Sequence, residues 1–248
     1  MNKIVPHKVD YDLTNKITRF QFILIIVGTV LSLISIFKLE DSIKNIIDTI
    51  VCIISIVYFV LEFTFSYFFI KAEQNRIDDL IDNSLNSQLS DEKSENYYTN
   101  EEIKKSITKL GVNSFENTFF SKNIVERMIK KQLIIFLIVT GVYLISIFVI
   151  EKKILVVLFQ LLLPLYIVKD FVILLLLKSR LDKIFDCYKK IFTSTKKGDR
   201  EPLIINNIIS YEKLISAYGV QLDSLIFDKM NDDLSQKWID LKKRYKIE

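Results

Sequence analysis

The chain of 248 residues holds only five glycines, three prolines, two cysteines and one histidine. No Gly-rich phosphate loop, H-E-x-x-H, G-x-S-x-G or EF-hand pattern occurs in it. Cys52 falls in an apolar block and Cys187 in an expected cytosolic helix, so a disulfide framework is not expected. A Cys/His metal centre needs more ligands than His7 and these two thiols. A Ser-His-Asp or Cys-His nucleophile would have to borrow its imidazole from the N-terminal tail. No catalytic residue, metal site or cofactor is therefore expected, and the chain is not read as an enzyme. The net charge of +4 is mild and mixed with acids, which argues against a nucleic-acid-binding composition.

What is abundant is apolar sequence. Half of the residues are hydrophobic, and they come in four long blocks: "FQFILIIVGTVLSLISIF" at 20–37, "IIDTIVCIISIVYFVLEFTFSYFFI" at 46–70, "QLIIFLIVTGVYLISIFVI" at 132–150 and "ILVVLFQLLLPLYIVKDFVILLLL" at 154–177. Each has about the 17–25 residues that a helix needs to cross a bilayer core. Short polar links, "KLEDSIKN" and "EKK", join them in pairs. The expectation is an all-α, four-transmembrane-helix membrane protein made of two helical hairpins, with a helical cytosolic insert and a helical C-terminal tail. Its segments are 1–70 (N-terminal tail and first hairpin), 71–131 (insert), 132–178 (second hairpin) and 179–248 (C-terminal region). The first block follows a polar leader without a small-x-small cleavage site, so it is expected to be retained rather than cleaved. Lys16, Arg19, Lys71, Arg76, Arg127, Lys130, Lys131, Lys178, Arg180 and Lys183 flank the outer ends of the hairpins. The positive-inside rule then places both termini and the insert on the cytoplasmic side.

The remaining segments also read as helix. Ile77, Leu80, Ile81 and Leu85 share one face after the second block. Thr99 or Asn100 is expected to cap a short helix that stops at Gly111, and Ser121 to cap the helix leading into the third block. Leu181, Ile184, Phe185, Tyr188, Ile191 and Phe192 continue the fourth block as a stalk as far as "TKKGD". Pro202 suits the first turn of a following helix, and Gly219 suits its stop. A last helix carries Leu222, Leu225, Ile226, Leu234, Trp238 and Leu241.

The second block carries a polar stripe. Asp48, Cys52, Ser55, Glu62 and Ser66 fall within an arc of roughly 80° at about 100° per residue. Two readings stand. In one, the polar residues knit helices together, with Glu62 protonated or paired. In the other, copies of this helix line a water-filled pore with acidic rings at Asp48 and Glu62. The fourth block offers Lys169 nine residues before Lys178, just as Glu62 lies nine before Lys71, so an ion pair at matched depth is available. Asp170 points about 100° away from Lys169, and Pro164 is expected to kink the helix one turn earlier. Glu62 thus faces either Lys169 or water.

"RIDDLID" presents Asp78, Asp79 and Asp82, read mainly as the solvated face of an amphipathic helix, with a metal or acid-base site as the lesser alternative. "TKKGDR" at 195–200 and "LKKRYK" at 241–246 are basic clusters able to grip phosphates, or plain helix ends.

The layout resembles the SMODS-associated four-transmembrane effectors of bacterial anti-phage defence. "KAEQNRIDDLIDNSLN" after the second block is similar to that family's acidic helix, with Ile81 where an aromatic is expected. "RYKIE" and the preceding "IISYEKLISAYGVQLDSLIFDKMNDDLSQKW" resemble its tail helices. The resemblance implies an effector acting with a nucleotidyltransferase partner, whose nucleotide or short oligonucleotide product decides whether the inner membrane is breached. In the Hailong type of system a DNA oligomer holds a channel-like effector shut. On this reading the insert and tail form a sensor for an anionic ligand held by some of Arg127, Lys130, Lys196, Lys197 and Arg200. One four-span protomer has no room for a conduit, so a homo-oligomer is expected in the bilayer, with a tetramer as the starting expectation. The alternative is a non-pore membrane interaction or regulatory subunit.

Overall fold

The computed structural model describes residues 5–35, 39–92, 94, 97–149 and 154–247. The links 36–38 and 150–153 lie outside these, as do the side chains at 142–149 and 154–167, Pro164 among them. The protein is all-helical, with 84% helix and no strand among the described residues. Six α-helices follow in order: α1 (Lys8–Ile34), α2 (Asp41–Leu85), α3 (Ile107–Val149), α4 (Ile154–Ser194), α5 (Arg200–Tyr218) and α6 (Ser224–Tyr245). They contribute to two compact units, one comprising Met1–Asp12, Phe69–Met128 and Leu174–Glu248, the other Leu13–Phe68 and Ile129–Ile173.

The second unit contains most of α1 and the first two-thirds of α2. Along α1 the covered positions are Thr14, Ile17, Gln21, Leu24, Gly28, Leu31 and Ser35; along α2 they include Ile47, Val51, Ile54, Tyr58, Leu61, Phe65 and Phe68. Both rows advance by alternating steps of three and four, the period that keeps one stripe of a helix against its neighbour. Two hydrogen bonds set the antiparallel register. Gln21 Nε2 donates to Glu62 Oε2 at 2.8 Å, and Ser35 Oγ donates to Asp48 Oδ1 at 2.8 Å. As α1 advances fourteen residues between these points, α2 retreats fourteen. The apolar side chains between them, from Phe20 to Ile34 and from Ile43 to Phe63, are largely exposed. Lys8–Ser32 and Asp41–Leu85 are both long and apolar enough to cross a membrane.

The first unit is built on an antiparallel pairing of the start of α3 with the end of α4. Tyr188 donates to Ser114 Oγ at 2.8 Å, and Lys122 pairs with Asp182 at 3.0 Å. Phe115 is the hub of the core. It stacks on Tyr188 with ring centres 5.1 Å apart and meets the edge of Trp238 at 5.2 Å, which brings α6 onto the pair. α5 lies across the same side, through Asn207 Nδ2 donating to the Ile184 carbonyl at 3.1 Å and Ser121 bonded to the Tyr211 hydroxyl at 2.9 Å. Pro202 sits in the first turn of α5, and Gly219 ends that helix at φ 56° with its N–H on the Ile215 carbonyl. Asp223 caps α6 by accepting from the N–H groups of Leu225 and Ile226.

Several local expectations are corrected. Gly111 does not stop a helix, because α3 begins at Ile107 and runs through it. Its missing side chain makes room for α5: a Cβ there would stand 2.7 Å from Ile204 Cγ2. Ser121 is no cap but a mid-helix hydroxyl spent on Tyr211. The N-terminal tail with His7 and Tyr11 is part of the first unit, with Tyr11 donating to the Glu73 carboxylate and Asp10 accepting from Asn75 at 3.3 Å. The acidic helix is not a solvated face: Asp79 and Asp82 are buried. Asp82 accepts from the N–H groups of Leu89 and Ser90 and from the hydroxyls of Ser87 and Ser90, which folds the chain after α2 back onto its end. Burial disfavours this carboxylate, but the four donors outweigh it and hold Asp82 well below the usual carboxylate range. Such donors are what a buried carboxylate demands, and a periodicity argument does not contain them.

Gly111 generates a test. Ala at 111 gains helix propensity of about 1 kcal/mol but overpacks the buried Ile204 at a cost of about 1–3 kcal/mol. Gly111→Ala and Ile204→Ala should each destabilise alone, and the double variant should be more stable than the two losses added together. Additive losses in denaturant unfolding would show that the two sites do not share space.

Candidate functional site

Two places carry candidate chemistry, and they are described separately. The first is the stripe on α2. Asp48, Cys52, Ser55, Glu62 and Ser66 are all exposed in the chain and stand one residue along from the packed row, about 100° round the helix. Ser55 turns its hydroxyl onto the Val51 carbonyl at 2.9 Å, a bond that lets a hydroxyl sit in apolar surroundings. The two acids lean towards α1, where Gln21 and Ser35 hold them. The expected partner Lys169 is exposed and makes no ion pair with Glu62, and Asp170 is half-buried. Matched depth along two helices does not fix their rotation, and Gln21, which lies in the packed row of α1, already reaches the carboxylate.

The five basic residues assigned to an anionic ligand are not assembled into one site. Arg127 lies at the far end of the α3 stretch from the contacts between Ser114 and Tyr188, whereas Lys196 and Lys197 follow the opposite end of α4. At about 1.5 Å per residue, Arg127 and Lys196 are separated by roughly 30 Å along the bundle. Arg200 is committed elsewhere: its Nε and Nη2 donate at 3.0 Å to the carbonyls of Thr195 and Phe192, closing the C-terminus of α4. Lys130 lies in the second unit. Basic clusters that are adjacent in sequence are here helix-end chemistry.

The second place is a cleft in the first unit, lined by Arg76, Tyr97, Tyr98, Glu116, Asn117, Phe120, Ser121, Ile124, Tyr211, Leu222, Phe227, Asn231 and Ser235. Arg76 from α2 forms its charged wall. Its guanidinium donates to Glu73 Oε2 at 3.1 and 2.9 Å, pairs with Glu212, and lies 5.9 Å from the centre of the Tyr211 ring. Burial works against this charge, but the carboxylates of Glu212 and Glu73 outweigh it and raise the guanidinium further above its usual range. Two carboxylates already hold the one cation, so this wall is not a phosphate clamp. Burial pushes the Tyr97 hydroxyl up to about 12 and raises those of Tyr98 and Tyr211, so all three hydroxyls are neutral; Asn117 and Ser121 engage the buried Tyr98 and Tyr211, and Tyr97 is the half-buried one. The cleft therefore offers aromatic surface, hydroxyls and amides, the chemistry of planar, hydrogen-bonding ligands. Neither Tyr97 nor Asn117 stood out in the sequence, because an aromatic in a polar connection and an amide on a helix lack any periodic signature.

Behind the cleft lies a buried polar knot centred on Asn100, which is fully buried. Its amide donates to Asn113 Oδ1 at 2.8 Å and Glu116 Oε2 at 2.6 Å, and its carbonyl accepts from Trp238 Nε1 at 3.2 Å. Lys242 anchors the end of α6 on the Thr99 carbonyl at 2.6 Å and on Glu102 at 2.7 Å. Asn100 thus joins three elements instead of capping a short helix. Burial raises the Glu116 carboxyl to about 7, against the lowering effect of Thr99, Lys242 and Asn100.

The sign of the consequence follows from linkage. The folded protein keeps the Glu116 proton at pH values where the unfolded chain, with an ordinary carboxyl, has released it. Stability is therefore greatest below about 4.5 on this account and falls as pH rises towards about 7, by on the order of 3 kcal/mol. Glu116→Gln should flatten that slope between pH 5 and 7 in equilibrium unfolding. An unchanged slope would assign it to other groups.

No family model, curated protein or solved structure matches this chain.

Proposed function

We propose that the protein is a four-span inner-membrane effector whose copies surround a pore, with both termini and the helical unit cytoplasmic. The reading rests on one observation above the rest: an exposed row of Asp48, Cys52, Ser55, Glu62 and Ser66 on a helix that otherwise bares Ile, Val and Phe. An apolar surface of this extent is costly in water, and lipid covers it at no such cost. A polar row costs free energy in lipid unless water or another protein surface meets it. Copies of α2 turned inward satisfy both requirements. The four-span arrangement draws its support from the two apolar blocks that α3 and α4 carry, and the orientation from the basic residues at their ends.

Control by a ligand is the second part of the proposal. A nucleotide or short oligonucleotide made by a partner nucleotidyltransferase enters the cleft beside Arg76 and sets the open or closed state. The ring of Tyr97, the half-buried one of the three tyrosines, is suited to stack on a base, and Asn117 to meet its edge. A different reading has its own support. Both acids of the stripe are already clasped to α1, as a packing role requires, and this favours a non-pore membrane subunit.

Substituted cysteines separate these readings. In a Cys52→Ser, Cys187→Ser background, cysteines returned at 52, 55 or 66 should react with a charged aqueous thiol reagent and cut ion flux from vesicles by more than tenfold. Cysteines at Ile53 and Val60, which are exposed but off the stripe, should do neither. Equal inertness at all five positions would leave the stripe as packing. Flux that ignores nucleotides and oligonucleotides in every state would remove the ligand from the proposal and leave the pore.

A further inference from the structure

A second cavity in the helical unit lies between the start of α1, the C-terminal part of α2 and the chain that follows α2. His7, Asn75, Asp79, Ser90, Asp91 and Glu92 line it. His7 is only 4% exposed, and its Nδ1 is buried with no hydrogen-bond partner. The rings of Tyr11 and Tyr97 meet the imidazole edge-on at 6.0 and 5.6 Å and fix its plane. Across the gap stands Asp79 Oδ2, 3.9 Å from Nδ1, too far for a hydrogen bond. Asp79 is itself held rigidly: Oδ1 accepts from Ser94 N–H at 2.7 Å and Asn83 Nδ2 at 2.9 Å, and Oδ2 accepts from the Ser94 hydroxyl at 2.7 Å. One acceptor position on Oδ2 remains.

A buried imidazole nitrogen with no partner carries an unmet free-energy cost. A neutral imidazole offers the lone pair of such a nitrogen to a cation. Two lone-pair donors, each about 2.0–2.2 Å from a tetrahedral ion, would stand roughly 3.4 Å apart. The observed gap is about half an ångström wider than that, a closure within reach of a side-chain adjustment. Asp91 and Glu92 are exposed carboxylates on the same rim, free of the packing that locks Asp79. Among the described residues no three such groups already stand as a metal site, so two donors are in place and the third must swing in.

We propose that His7 and Asp79 are the fixed half of a binding site for a divalent transition-metal ion of the zinc class, completed by Asp91 or Glu92. The imidazole favours zinc-like ions over magnesium or calcium, which take oxygen ligands. Occupancy would tie the head of α1 to α2 and to the loop that follows it. The inference is independent of the pore reading, because it concerns only the helical unit.

The test uses the full chain in detergent, stripped with a chelator and titrated with Co2+ and then with Zn2+. One equivalent of Co2+ should give the visible ligand-field bands of a low-coordinate site, and Zn2+ should displace it. His7→Gln should weaken binding at least tenfold. Asp91→Asn with Glu92→Gln, which touches only exposed side chains, should weaken it to a similar degree while leaving far-UV circular dichroism and the melting temperature of the stripped protein unchanged. This variant keeps the test decisive should His7→Gln fail to fold. Absence of a saturable site in the folded protein would overturn the proposal and assign the gap to a water. So would cobalt binding that survives the exposed double variant, which would mark an adventitious ion.

Discussion

The helical unit depends on compensating the buried charge of Arg76. Arg76 comes off α2 at a point where its guanidinium is nearly cut off from solvent, and a lone cation there would cost several kcal/mol. Glu73 on the same helix and Glu212 on α5 share it, and Tyr211 takes its face. Because Glu212 lies far along the chain, the ion cluster forms only when α5 has docked on α2. Gly111 favours that docking, since α3 passes under Ile204 there without a side chain in the way. The cleft, its tyrosines and the Asn100 knot are then walls and floor of a space that these two conditions open. Removing Arg76 alone would strand two carboxylates, whereas replacing the whole cluster with apolar groups need not destabilise at all. The charge therefore earns its place through specificity of docking and the chemistry of the cleft more than through net stability.

Helix content and the antiparallel hairpin between α1 and α2 are legible in the sequence because both rest on periodicity. The row Ile47, Val51, Ile54, Tyr58, Leu61, Phe65, Phe68 repeats at the helical spacing, and the polar stripe stands one residue beside it. Gly219 and Pro202 are legible as well, since a left-handed stop and a first-turn proline are backbone properties of the residue itself. The misreadings share another cause. Gly111, Ser121, Asp79 and Asp82 each depend on a partner remote in sequence or across a loop: Ile204, Tyr211, Ser94 and the Ser87–Ser90 turn. Residue type alone gives glycine as a break, serine as a cap and clustered aspartates as a wet surface. Only the packing shows glycine as clearance, serine as a cross-helix bond and the aspartates as the organisers of a loop.

The same distinction governs the candidate sites. The stripe is a property of one helix, so a helical wheel finds it. Its partner is not, and matched depth pointed to Lys169 where the hydrogen bond is to Gln21. The basic clusters "TKKGDR" and "LKKRYK" are local concentrations of charge, yet Arg200 and Lys242 are both spent on main-chain carbonyls. The cleft is the converse case. Its lining comes from α2, the connection before α3, α3, α5 and α6, and no window of sequence contains enough of it to be noticed.

The placement of the two acids on α2 has a further consequence for register. A one-heptad slip of α1 against α2 in one direction would set Glu62 opposite Gly28; the same slip in the other direction would set Asp48 opposite Gly28. Glycine offers no side-chain donor, so either slip takes a carboxyl group away from its hydrogen-bond partner on α1. The apolar members of the packed rows, chiefly Leu, Ile, Val and Phe, would tolerate such a slip far more readily. Gly28 is not needed for close approach, since a Cβ there would meet Ile54 at an ordinary 3.5 Å. What matters at this midpoint is the lack of a polar partner, and an apolar residue would serve as well. The hairpin thus takes its affinity from apolar packing and its alignment from two hydrogen bonds. That alignment holds the polar stripe on one flank of the pair, where a second copy or water can meet all of it at once.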